Sequence, residues 1–205
     1  MKNKLKINTN VVILIIVFST INVCASKYTK YPFTNMLETV YTDGGKHLLR
    51  IDYNYKGEFV VEEGTEVIGE SAAEGCDKIT NLIIPDSVTN IMKFAFLSCR
   101  SLTNVVFGSG VREIGEFAFW ACWKLEHVEL PDSLETIGER AFAGCTSLKG
   151  IKIGSGLRNL GEYAIRHRPS PSKPDFETVI TISPSNQLFR VKNGELVRKK
   201  EDENE

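Results

Sequence analysis

Cysteine is the residue whose type and spacing here most directly invite chemistry. Cys76, Cys99, Cys122 and Cys145 recur at a constant interval of 23 residues. An even cysteine count in an exported chain usually means disulfides, and clustered thiolates can hold zinc. The interval argues against both. Residues at the same place in stacked coils point the same way. Their Cβ atoms then sit near the ~4.8 Å spacing of neighbouring strands, not the ~3.8 Å of a disulfide. No C-x-x-C pair is present and no histidine shares the column. Free, buried thiols acting as small apolar groups are the expectation.

Nucleophilic catalysis has one sequence candidate. His127, Asp132 and Ser133 supply the residue types of a Ser-His-Asp arrangement. However, Asp-Ser also occurs at Asp86 and Ser87, where the histidine column holds Asn81. A turn role explains both copies. His47 and His167 lie far from His127 in sequence, and there is no P-loop, dinucleotide fingerprint or H-E-x-x-H. The chain is therefore expected to be no enzyme and to need neither cofactor nor metal.

What must position any functional residue is a repeat, and the period of the cysteines runs through many columns. Ala72, Ala95, Ala118, Ala141 and Ala164 form one; Ile68, Ile91, Ile114, Ile137 and Leu160 form another. Phe96, Phe119 and Phe142 form an aromatic column, with Ala73 before and Ile165 after. Each unit also carries a four-residue stretch: NLII from Asn81, NVVF from Asn104, HVEL from His127, GIKI from Gly150. The second and fourth positions are always apolar and the others vary, which is the alternation of a half-buried strand. Pro85, Gly108, Pro131 and Gly154 end the stretches at one column. A single unit cannot bury its apolar face alone, whereas stacked units can.

The unit L-x-x-I-x-I-P-x-S-L-x-x-I-G-x-x-A-F-x-x-C resembles the BspA-like leucine-rich-repeat family, best in KLEHVELPDSLETIGERAFAGC, residues 124–145. The segments 41–76 and 180–200 resemble the family's lead-in and closing segments. The usual Asn ladder after the strand is missing; that column holds Ser87, Gly110, Ser133 and Gly156. The resemblance implies a leucine-rich-repeat solenoid of about five 23-residue coils with capping segments. A parallel β-sheet would lie on one side, with turns or short helices on the other. It also implies a secreted or cell-surface protein of the kind associated with adhesion to host matrix proteins and with interbacterial aggregation.

The ends fit export. Lys2, Lys4 and Lys6 precede the apolar run VVILIIVF at 11–18, and Val23 and Ala25 suit a cleavage site before Ser26. Residues 1–25 therefore read as a signal peptide. Its loss would take three lysines and move the net charge from -1 to -4. That balance speaks against a nucleic-acid partner. No membrane span is expected after cleavage. The further divisions are an N-terminal cap at 26–53, repeats at 54–168, a Pro-rich loop at 169–175, a closing segment at 176–200 with a hairpin turn at Asn193 and Gly194, and a disordered tail at 201–205.

A repeat frame leaves specificity to its variable outward positions. On the concave sheet face these are Asn81, Asn104 and His127 in one column, followed by Gly150, and Ile83, Val106, Glu129 and Lys152 in the next. They are the expected contacts for a protein ligand such as a host extracellular-matrix or surface protein. A convex patch of Leu97, Trp120 and Trp123 is a second candidate, because tryptophan is common at binding hot spots. The competing function is a structural surface protein that self-associates and has no specific host ligand.

Overall fold

The computed structural model describes residues 39–165 and 178–199. The expected signal peptide with Cys24, residues 26–38 of the expected cap, His167, the Pro-rich loop and the charged tail lie outside the described residues. The strands, in chain order, are β1 (Val40–Thr42), β2 (His47–Arg50), β3 (Gly57–Val60), β4 (Val67–Ile68), β5 (Ile79–Ile83), β6 (Asn90–Ile91), β7 (Asn104–Val106), β8 (Glu113–Ile114), β9 (His127–Glu129), β10 (Thr136–Ile137), β11 (Gly150–Ile153), β12 (Asn159–Leu160), β13 (Val179–Ile182), β14 (Phe189–Lys192) and β15 (Glu195–Arg198).

Each coil supplies two strands to two different sheets. The broad sheet runs β13-β11-β9-β7-β5-β3 and is parallel throughout. The second runs β1-β2-β4-β6-β8-β10-β12 and is parallel except for the antiparallel β1–β2 pair. The repeat period is the register: Asn81 pairs with Asn104, Asn104 with His127 and His127 with Gly150. Among the described residues the coils contain no helix; a single 3-10 turn, Asp43–Gly45, precedes them. The short helices allowed for on the second side are thus replaced by turns and a narrow second ladder.

The flanking segments each add a rung. In the expected cap, β2 pairs with β4. In the closing segment, β13 pairs in parallel with β11, and the β14–β15 hairpin follows, turning at Asn193 and Gly194 with φ of 52° and 75°. Positive φ at both turn residues matches the strand twist, which is why Asn-Gly suits this place.

The columns meet inside. Phe96, Phe119 and Phe142 are fully buried and stack, with centroids 5.1 and 5.3 Å apart and planes within 11° and 2°. Phe107 meets the edge of Phe119 at 5.6 Å. The alanine column and the Ile79, Leu102, Leu125, Leu148 column are equally buried.

Two kinds of coil alternate, which explains the missing Asn ladder. One kind carries Pro-Asp-Ser after the strand and the next carries Gly-Ser-Gly. Ser109 N donates to Asp86 Oδ1 at 2.6 Å, and Ser155 N to Asp132 Oδ1 at 2.7 Å. A Cβ on Gly110 or Gly156 would lie 1.9 or 2.1 Å from the carbonyl oxygen of Asp86 or Asp132. Only glycine lets the next coil come this close.

The C-terminal end is closed by Asn186, 1% exposed. Its Nδ2 donates to Ser155 O at 2.9 Å and Leu157 O at 3.0 Å, and its Oδ1 accepts from Leu188 N and Phe189 N. Thr178 Oγ1 donates to Leu148 O at 2.7 Å, also buried.

Phe119 has ring neighbours on both faces, so Phe119→Ala is expected to cost about 3–5 kcal/mol in urea unfolding, and Phe119→Leu clearly less. Asn186→Ala orphans buried main-chain groups and should cost at least ~2 kcal/mol in the same assay. A loss below 1 kcal/mol at either alanine variant would contradict these contacts.

Candidate functional site

The outward positions of the broad sheet form two continuous columns. One runs Glu58, Asn81, Asn104, His127, Gly150, Val179; its neighbour runs Val60, Ile83, Val106, Glu129, Lys152, Thr181. All seven sheet positions expected from the sequence lie in these columns. Glu58, Val60, Val179 and Thr181 belong there too and were missed. The first two are legible, since Glu58 and Val60 stand 23 residues before Asn81 and Ile83. Val179 stands 29 residues after Gly150, and the six extra residues hide it.

The two ends of the second column differ. Val60 and Val106 are 54% and 50% exposed and flank the half-buried Ile83, which makes an aliphatic strip across three rungs. Further along, Glu129 faces Lys152 at 3.8 Å, and beside them Glu126 accepts from Lys149 Nζ at 2.7 Å. The Glu126 carboxyl is held below its usual range, first by that hydrogen bond and then by the lysine charge. Opposite charges in one column neutralise each other, so this half is polar but nearly charge-balanced. The imidazole of His127 lies beside Gly150, where an added Cβ would meet Nδ1 at 3.3 Å.

On the turn side, Trp120 and Trp123 are 38% and 46% exposed and Leu97 is half-buried. Arg100, one coil earlier, stacks its guanidinium 4.6 Å over the Trp123 ring. One indole face is therefore already occupied by a cation. A half-buried stripe follows it: Phe94 and Phe117 are 5.5 Å apart, and Arg140 lies over both Phe117 and the exposed Tyr163. Phe94, Phe117, Arg140 and Tyr163 all have left-handed φ between 51° and 61°. This conformation costs ~1–2 kcal/mol per residue outside glycine. It aims their N–H groups at the next coil, where Phe94, Phe117 and Arg140 donate to the carbonyls of Glu116, Glu139 and Glu162. Nothing in the side-chain pattern announces this, because the column tolerates serine, aromatic and arginine residues.

Most of the residues that could have done chemistry hold bonds between coils. Asp132 Oδ1 also accepts from Ser155 Oγ at 3.0 Å, and its carboxyl is held below the usual range chiefly by the Ser155 main-chain bond. Ser133 Oγ donates to Val111 O of the preceding coil at 2.7 Å. Two members of the imagined triad, Asp132 and Ser133, thus tie coils together. Cys76, Cys99, Cys122 and Cys145 are free and buried. The Cys99, Cys122 and Cys145 thiols donate to the carbonyls of Ala73, Phe96 and Phe119, at 3.2 to 3.3 Å. Burial pushes the Cys76 thiol up to about 12, with Asp52 and Asp77 adding to it, and drives Cys99 and Cys122 far above the ordinary range. Among the described residues no group of His, Cys, Asp and Glu could hold a metal ion.

A parallel-sheet solenoid of 23-residue coils, with a constant interior and a variable sheet face, defines a leucine-rich-repeat protein. The profile of the BspA type leucine rich repeat region matches six copies across residues 60–190, and the chain belongs to that family. Among solved structures it is similar to the T. pallidum leucine rich repeat protein TpLRR, at 26% identity and a TM-score of 0.57, covering 66% of each chain. It is also similar to a leucine rich cell surface protein of Faecalibacterium prausnitzii A2-165, at 25% identity and a TM-score of 0.53, covering 67% of this chain and 40% of that one. The pneumococcal vaccine antigen PcpA shares the fold at 16% identity and a TM-score of 0.59, over 72% of this chain and 36% of its own. The chain thus spans 66% or less of these relatives. No curated protein matches. No helix among the described residues is long and apolar enough to cross a membrane.

The raised thiols carry a pH consequence. A folded-state value above the unfolded ~8.5 means the native state holds its protons longer. For Cys76 the stabilisation is complete below pH ~8.5 and is lost as pH climbs toward the folded value of about 12, and Cys99 and Cys122 act in the same direction. The urea midpoint is expected to fall steadily above pH 9, and less steeply in Cys76→Ala. A thiol reagent at pH 8 should leave these four cysteines unmodified until denaturant is added; rapid native-state reaction would contradict their burial.

Proposed function

We propose that this chain is a secreted or surface-displayed adhesion module that binds a host matrix or cell-surface protein through the outer face of its broad sheet. The observation that carries this reading is the aliphatic strip of Val60, Ile83 and Val106, bordered by the amides of Asn81 and Asn104 and by the charge-balanced pair Glu129 and Lys152. Apolar groups on an open sheet face gain about 25 cal/mol per Å² when a partner covers them. A polar margin then sets register more than affinity. Family membership and the cell-surface description of the F. prausnitzii relative support export. The structural commitments of Asp132, Ser133 and the thiols support a binding role over a catalytic one. The Trp120 and Trp123 patch is the second candidate surface, its Trp123 face partly used by Arg100.

The test is binding of residues 26–205 to immobilised matrix and cell-surface proteins, with variants. Val60→Ser/Val106→Ser changes exposed residues and should weaken a saturable interaction about tenfold or more, equivalent to ~1.4 kcal/mol. Glu129→Ala/Lys152→Ala should weaken it less. Saturable binding that ignores both variants but is lost in Trp120→Ala/Trp123→Ala would move the site to the turn side. Absence of binding together with concentration-dependent mass would overturn the adhesion reading in favour of self-association.

A further inference from the structure

We propose that His127 makes binding through the outer face of the broad sheet pH-dependent, so that a protein partner is held at neutral pH and released on acidification, a role that rests on the adhesion reading. Histidine is the side chain whose charge ordinarily changes between about pH 5 and 8. The chain has three histidines. His47 belongs to β2 in the second sheet, whereas His127 opens β9 near the middle of the broad sheet. His127 is exposed and stands in the outward column between Asn104 and Gly150. Gly150 brings no side chain, and a Cβ there would lie 3.3 Å from His127 Nδ1, so the imidazole borders open backbone. The aliphatic strip lies on β3, β5 and β7, and the Glu129 and Lys152 pair on β9 and β11. A partner that spans from one to the other covers His127 on the way.

Charge around the ring sets the direction. The charged neighbours are Glu126 and Glu129 on its own coil and Lys149 and Lys152 on the next. On the other side, β7 offers Asn104, Val105 and Val106, none of which titrates. Glu58, the other carboxylate of the His127 column, lies three rungs away. Both nearby carboxylates already face a lysine: Glu126 accepts from Lys149 Nζ at 2.7 Å, and Glu129 lies 3.8 Å from Lys152 Nζ. The Glu126 carboxyl is held low first by the Lys149 hydrogen bond and then by the Lys149 charge, and His127 acts on it least. With a neutral imidazole, the two lysines and two carboxylates balance. An imidazolium adds an uncompensated cation. Covering it strips its water and offers no open carboxylate of this chain in exchange, which costs far more than covering a neutral ring. Partner and proton therefore oppose each other, and by reciprocity each weakens the other by the same factor.

The test measures binding of the full chain to a surface coated with solubilised extracellular-matrix protein at pH 7.5 and pH 5.5. Affinity is expected to be lower at pH 5.5 by about fivefold or more. His127→Asn installs the residue that Asn81 and Asn104 already place in this column, and its two affinities should agree within about twofold, whatever their level. His47→Asn should keep the parent ratio. On the parent chain, exchange of the imidazole carbon-bound hydrogen, read by mass spectrometry across pH, should place the His127 midpoint lower with matrix protein bound than without. Equal affinity at both pH values, tighter binding in acid, the parent ratio persisting in His127→Asn, or an unmoved His127 midpoint overturns the proposal. Absence of saturable binding at pH 7.5 sinks the adhesion reading itself and the pH response with it. If His127→Asn melts lower than the parent, the midpoint measured on the parent chain decides.

Discussion

Everything in this molecule depends on one coil fitting on the next at strand spacing. The fit is enforced around the coil. The broad sheet and the second ladder hold two sides, and main-chain bonds such as Phe96 N to Ala118 O and Phe119 N to Ala141 O hold the turns. Because the register equals the repeat, each interior column stacks on itself, and the phenylalanine rings become a continuous parallel stack. No coil has a core of its own; the core is the contact between neighbours, as expected for a solenoid. This explains why several departures from the average repeat occur in complementary pairs. Asp86 with Gly110 and Asp132 with Gly156 are two halves of one close approach.

Stacking leaves the problem of ends, and the chain treats its two ends differently. At the first coil, phenol groups of Tyr55 and Tyr41 occupy main-chain groups near the β3 edge, and β1 turns antiparallel along the second sheet. At the last coil, the single side chain of Asn186 bonds the main-chain carbonyls of Ser155 and Leu157. Buried polar groups need partners, and an asparagine can serve two acceptors and two donors at once. The hairpin then stands beyond β13 with a groove between them. A β-sheet edge is a liability or a binding surface depending on what covers it.

Once interior and ends are satisfied, the outward columns are free to vary, and variation is where recognition resides. Their charges are arranged coil to coil as opposite pairs, which lowers the field of the whole face without removing its polarity. Such exposed pairs contribute little to stability. They favour correct alignment of neighbouring coils and leave the aliphatic strip of Val60, Ile83 and Val106 as the uncompensated feature of the sheet.

The period, the inward columns, the strand stretches and the turn roles of Asp-Ser were legible in sequence, because stacking makes burial repeat at the same interval as the residues that satisfy it. The sheet columns followed for the same reason, as did the free state of the thiols. Other features depended on partners distant in sequence. The sixth rung at Val179 was displaced by six residues, so no column pointed to it. The second ladder used two-residue strands, too short for an alternation to show. The left-handed column of Phe94, Phe117 and Arg140 follows from main-chain bonds to the next coil, which side-chain identity does not report. The groove beside β13 exists because a hairpin packs against an edge it does not extend. Sequence periodicity determined what each coil buries; only the assembled chain decided what its ends and edges leave open, because those surfaces are defined by neighbours that the repeat does not contain.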